Sequence, residues 1–139
     1  MYNGVFAVAA CQGSLMAIEF VYNNQHRILT GKVSGRLIFE EVELAMKNIV
    51  TSVDIPSESN TLWDAREMEF DNIDFEFENQ LIDMIKNFNT ARGMAKVAIV
   101  SGYELGAPLI KLFVILLGET SRNVQSFKTI EEAEWWLSS

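Results

Sequence analysis

From Met16 onward the apolar and polar positions of the chain fall into two alternating periods. MAIEFV and HRILTGKV alternate or run apolar over strand lengths, and YNNQ between them has turn chemistry, so residues 17–33 predict a β-hairpin. After Ser34 and Gly35 the period changes: Ile38, Val42, Ala45, Met46, Ile49 and Val53 recur at steps of three and four, with Glu40, Glu41, Glu43 and Lys47 mostly between them. That is the stripe of an amphipathic helix of about four turns. A polar loop broken by Pro56 follows, then a short strand, TLWDA. Helical spacing returns from Phe75 to Ala91 through Phe77, Leu81, Met84, Ile85 and Phe88. KVAIVS is an uninterrupted apolar run bounded by turn residues, the pattern of a strand buried on both faces of a parallel sheet. Residues 104–117 predict a further helix, VQSF the last strand, and Thr129 to Leu137 the last helix. The order ββαβαβαβα describes an α/β domain with a mixed sheet of four to five strands and about four helices.

The last two helices distribute their apolar residues differently. In the last one, Thr129 and Glu132 have capping-box spacing, and Ile130, Ala133, Trp136 and Leu137 share a face, which assigns Trp136 to the core. Trp135 is rotated about 100° from it and falls at the rim of that face or outside. In GAPLIKLFVILLG, Leu109, Ile110, Leu112, Phe113, Leu116 and their neighbours occupy every side of the helix. A second copy, a lipophilic pocket or neighbouring loops would have to cover the remainder.

Composition narrows the function classes. A chain of 139 residues with 49% hydrophobic and 22% charged residues has the balance of one folded domain. The net charge of −8 opposes binding to nucleic acid or an anionic membrane. No apolar run reaches the length of a membrane span, since even the most apolar segment is broken by Lys111. A single cysteine, Cys11, forms no internal disulfide, which fits a cytoplasmic protein, and one histidine with one cysteine is a poor zinc set. VAAC at Val8 to Cys11 has the look of a lipoprotein cleavage box, but no Lys or Arg precedes it. A start at Met16 is the other reading of this stretch, so residues 1–15 are set apart as an N-terminal extension, and 16–139 are expected to form a single domain.

Candidate chemistry is sparse. Ser101 follows a buried strand and precedes a helix, where open α/β sheets place ligands, but VSGYELG lacks the GxSxG elbow and His26 lies in the hairpin turn. The acids from Glu67 to Asp83 lack the glycine spacing of a calcium loop and read as a solvated approach to a helix. Asp64 and Arg66, two apart on a strand, face the same side and can pair. No cofactor or metal is expected, and no set of convergent polar groups points to catalysis.

FKTIEEAEWWL resembles the ending of small bacterial SpoIIAA-like, STAS-related proteins. KVAIVSGYELGAPLIKLF resembles that family's strand, loop and helix, TLWDAREMEFD its preceding strand, and LTGKVSGRLIFEEVELAM its hairpin and first helix. The resemblance spans residues 16–137. It implies the fold of the anti-sigma-factor antagonists, which is similar to the lipid-exchange CRAL-TRIO domains. Those antagonists are switched by phosphorylation of a serine after a strand, at the start of a helix. The corresponding segment here, Trp63 to Met68, has no Ser or Thr, nor does any position up to Thr90. The resemblance therefore implies a non-enzymatic interaction or regulatory module without that switch and with a protein partner, and the apolar surface of the 104–117 helix adds the expectation of a homodimer. Its surface is expected at Ser101, Gly102, Tyr103, Leu109, Leu112, Phe113, Leu116 and Trp135. The alternative is a carrier or sensor of a small lipophilic ligand, which predicts an apolar cavity of a few hundred cubic ångströms beneath residues 105–117.

Overall fold

A computed structural model describes residues 5–12, 16–36, 38–53, 55–56, 58–69, 74–92, 96–101 and 123–139. Its strands are β1 (Val5–Gln12), β2 (Met16–Asn23), β3 (Ile28–Arg36), β4 (Asn60–Glu69), β5 (Val97–Val100) and β6 (Val124–Phe127). The helices are α1 (Phe39–Thr51), α2 (Phe75–Arg92) and one between Ile130 and Ser138, here α3. The strands lie side by side in sequence order in one sheet. β1, β2 and β3 pair antiparallel, and β3 to β6 run parallel.

β2 to β6 are thus a five-stranded mixed sheet, and β1 corrects the expected count to six. Residues 5–12, set apart above as an extension, pair with β2 from Val5↔Asn23 to Gln12↔Ala17. β4 is also longer than TLWDA, because its polar second half continues to pair with β3 as far as Arg36↔Glu69. The hairpin turn is displaced by two residues. The Asn23 Oδ1 accepts hydrogen bonds from the N–H groups of Gln25 (2.9 Å) and His26 (3.1 Å), and Arg27 takes a positive φ of 57°, so β3 starts at Ile28. Three helices are described; the expected helix over 104–117 lies outside the described residues.

Strand alternation sorts the core into two layers. Ile18, Phe20 and Tyr22 of β2 and Leu29 and Val33 of β3 meet Val42, Ala45, Met46 and Ile49 of α1, with Leu81 and Phe88 of α2. Ile82 of α2 continues that layer over Ala65, Val97, Ile99 and Val124. On the opposite face Ala133 and Leu137 of α3 cover Ile28, Leu62, Ala98 and Val100. β5 is buried along its whole length because it is sandwiched between these layers, as its unbroken apolar run requires.

One close approach underlies the first layer. Phe20, Gly31 and Trp63 are register partners across β2, β3 and β4, and the two rings meet edge to face at 5.5 Å above the glycine. A Cβ at Gly31 would lie 2.7 and 2.8 Å from Trp63 ring carbons and 2.9 Å from Phe20. Glycine is required here for space, and Trp63 then spans the two parts of the layer beneath α1 and α2.

The final helix is tied down at both ends. Thr129 caps it, accepting from the Glu132 N–H at 3.2 Å, while its hydroxyl donates to Glu132 Oε1 at 2.9 Å. At the other end the Asn60 amide donates to the Leu137 carbonyl, and Lys96 Nζ donates to the backbone oxygens of Trp136 and Ser139 while lying over the Trp136 ring. These bonds satisfy carbonyls that a helix end otherwise leaves open. Trp136 packs on Phe127, whereas Trp135 is 75% exposed.

Candidate functional site

α1 and α2 lie side by side on one sheet face, and their first turns are joined by an edge-on contact of Phe39 with Phe77 at 6.5 Å. Beyond that contact the helices leave an open groove of about 600 Å³. Its floor is apolar: Phe39, Met46 and Val50 from α1, Met84 and Phe88 from α2. Val50 is 41% exposed. Glu43, Lys47 and Thr51 form one bank, and Gln80, Asp83 and Asn87 the other. Met46 and Val50, like Met84 and Phe88, are four residues apart, so each pair stacks along its helix and faces the valley. The volume is in the range of small-molecule sites, but the groove is a valley and not an enclosed chamber.

The groove was missed in the sequence because it needs two helices that are 36 residues apart at their starts to become neighbours. A partial signal was present. Val50 belongs to α1 yet falls outside the stripe that Val42, Ala45, Met46 and Ile49 bury, as does Leu44; Val53, expected in that stripe, instead lies past the end of α1 at Thr51 and is 96% exposed.

Of the surface residues expected from the sequence, Gly102, Tyr103, Leu109, Leu112, Phe113 and Leu116 lie outside the described residues. Ser101 is 5% exposed, and its N–H donates to the Phe127 carbonyl, so it continues the β5 ladder. Alternation carries Ser101 toward the face of Val97 and Ile99, while Trp135 stands on α3 at the opposite face. The structure does not bring these two together. Nor does the strand order reverse among the described residues, so the switch-point crevice where such sheets hold ligands is absent there.

Two polar features remain. Midway along β4, Arg66 grips Asp64 with Nε at 2.8 Å and Nη2 at 2.9 Å, and Lys32 pairs with Glu67 at 3.1 Å. Burial pushes the Asp64 carboxyl up, but the Arg66 hydrogen bonds, with the charges of Arg66 and Lys32, outweigh it and hold the group below the usual carboxylate range. Its hydrogen bond to Asp64 raises Arg66 in turn. This is a structural clasp with its charges matched. Glu78 differs: it is 6% exposed, its Oε1 has no hydrogen-bond partner among the described residues, and burial raises its pKa. Among the described residues no group of three or more His, Cys, Asp or Glu is placed to hold a metal, and no helix is long and apolar enough to cross a membrane.

No family model matches the sequence, and no curated protein matches it. A solved structure does resemble it: an uncharacterized protein of the DUF3478 family with a SpoIIAA-like fold from Shewanella loihica PV-4. The TM-score is 0.55 at 16% identity, over 99% of this chain and 96% of that one. The fold is SpoIIAA-like. At that identity the likeness establishes the architecture of the SpoIIAA-like sheet and helices, and the chemistry of the groove has to be argued from its own residues.

Proposed function

We propose that this protein is a non-catalytic, cytoplasmic interaction module that receives an apolar segment of a partner protein in the groove between α1 and α2. The carrying observation is the apolar floor between two polar banks, with Val50 partly in water. Exposed apolar surface rimmed by polar residues is the usual mark of a contact site. The valley is open, so a small lipophilic ligand lying in it would keep much of its own surface wet, whereas small-molecule sites bury about 70–90% of the ligand. A partner helix, with anchors at steps of three and four, would instead match the stacked pairs along the groove. Lack of a serine or threonine in the Trp63 to Met68 segment supports a module without the phosphorylation switch.

A photo-crosslinking residue placed at Val50 in the living host tests this reading, with the same residue at exposed Gln125 as the off-groove control. Discrete protein adducts from position 50 alone are expected. Identical adducts from both positions, or none from position 50, would refute it. Native mass spectrometry separates the carrier alternative, which requires a mass excess of a few hundred daltons that disappears on denaturation. Self-association belongs to the same reading, and β1 supports it: an eight-residue edge strand without a charge or a proline is a template for pairing with a second copy. Sedimentation of the parent and of Ala9→Lys, expected as dimer and monomer, tests that surface.

A further inference from the structure

We infer that the partner segment is a basic amphipathic helix, an inference that rests on the groove reading above and adds the sign of the partner's charge. The banks are not neutral. Glu43 and Lys47 lie 3.9 Å apart across one helical turn and largely cancel, which leaves Asp83, exposed and without an ion pair among the described residues, as the uncompensated charge on the opposite bank. The same two helices carry the exposed acids Glu40 and Glu76 in their first turns, in a chain of net charge −8. A segment with an acidic polar face would meet like charge on entering. A segment with Lys or Arg flanking its apolar anchors would be drawn in and oriented by the field. The floor suits such a guest, because Met46 and Met84 are unbranched thioethers that re-pack around anchors of different shape.

Two synthetic helical peptides with one shared apolar face test the inference, one with a Lys/Arg polar face and one with a Glu polar face. Each is titrated into the isotope-labelled full chain and followed by amide resonances. The basic peptide should shift Val50, Met84 and Phe88 and bind at least about tenfold more tightly than the acidic one, with the difference shrinking as salt shortens the screening length. Val50→Asp separates docking from adsorption. It adds a negative charge at a half-exposed position, so diffuse attraction to an acidic protein would strengthen, while insertion into the apolar floor would weaken by about tenfold or more. Weaker binding is the expected result. Stronger or unchanged binding would overturn the inference, as would the absence of shifts at the floor with either peptide. Equal affinities for the two peptides, both with floor shifts lost in Val50→Asp, would leave the groove reading standing and overturn the charge inference alone.

Discussion

Gly31→Ala is the sharpest test of how the groove's platform is built. The added Cβ would sit 2.7 to 2.9 Å from carbons of Trp63 and Phe20, below any ordinary carbon contact. Those carbons belong to rigid rings in the buried layer, so relief requires both rings to swing or the strands to part. Overpacking of this kind costs about 1–3 kcal/mol. Loss of the edge-to-face geometry adds about 0.5–1.5 kcal/mol. Against this, alanine restricts the unfolded chain and returns about 0.4–1 kcal/mol. The balance is a destabilisation of about 1–3 kcal/mol, equivalent to a fall in Tm of roughly 4–10 °C for a domain of this size. Urea unfolding should show a lower midpoint at an unchanged slope. Trp63→Leu makes room above the glycine, so Gly31→Ala should cost at least about 1 kcal/mol less in that background. A neutral or stabilising Gly31→Ala, or equal costs in the two backgrounds, would refute the steric account.

Three further changes probe the polar features. Glu78 has a raised pKa in the fold, so the native state binds more protons than the unfolded chain between the ordinary glutamate value and the raised one, and stability must fall as pH rises through that window. Glu78→Gln should remove this slope and stabilise the protein at neutral pH, as read from denaturant titrations run on both sides of the ordinary glutamate value. Asp64 has the opposite sign: its lowered pKa contributes stability above the ordinary aspartate value that is lost as pH falls through the folded one, so Asp64→Asn should flatten the acid limb of the stability profile. Its cost at neutral pH should be small, because Arg66 is half exposed to solvent. Asn60→Ala strands the Leu137 carbonyl and the Lys96 N–H together; a loss of about 1–3 kcal/mol and faster amide exchange confined to residues 130–138 are expected.

How far the sequence could be read depended on whether a signal was local. The last helix was legible because its cap lies three residues from Glu132 and its core face follows from one helical period. β5 was legible because burial from both sides leaves no polar position in VAIV. β4 was cut short because Arg66, Glu67 and Glu69 face water, and their strand conformation comes from pairing with β3 rather than from apolar alternation. β1 carries no polar alternation and precedes a change in composition, so only its pairing with β2 identifies it as sheet. The clasp of Asp64 and Arg66 was legible as a shared side of one strand, but the burial that makes it matter comes from elsewhere in the fold. The surface anticipated around residues 101–117 and Trp135 placed the emphasis on one very apolar segment. The groove arises from the side-by-side packing of two ordinary amphipathic helices, which no single segment announces.

That packing explains why the valley is both firm and unfilled. Trp63 contacts the α1 layer and the α2 layer at once, and Gly31 lets it lie flat enough for both helices to rest on a common platform. The Phe39 and Phe77 rings meet edge to face at the first turns of the two helices and close that end of the valley. Further along, Met46 and Met84 turn inward on narrower side chains, and the space between the helices is left to solvent or a guest. Phe39, Met46 and Phe88 serve both the buried layer and the groove, whereas Val50 and Asp83 line the groove without belonging to that layer. Val50 and Asp83 can change the guest without changing the platform, whereas Gly31 and Trp63 change the platform first. A perturbation that abolishes binding through Val50→Asp at full stability, set beside one that lowers stability through Gly31→Ala, separates the site from the scaffold that positions it.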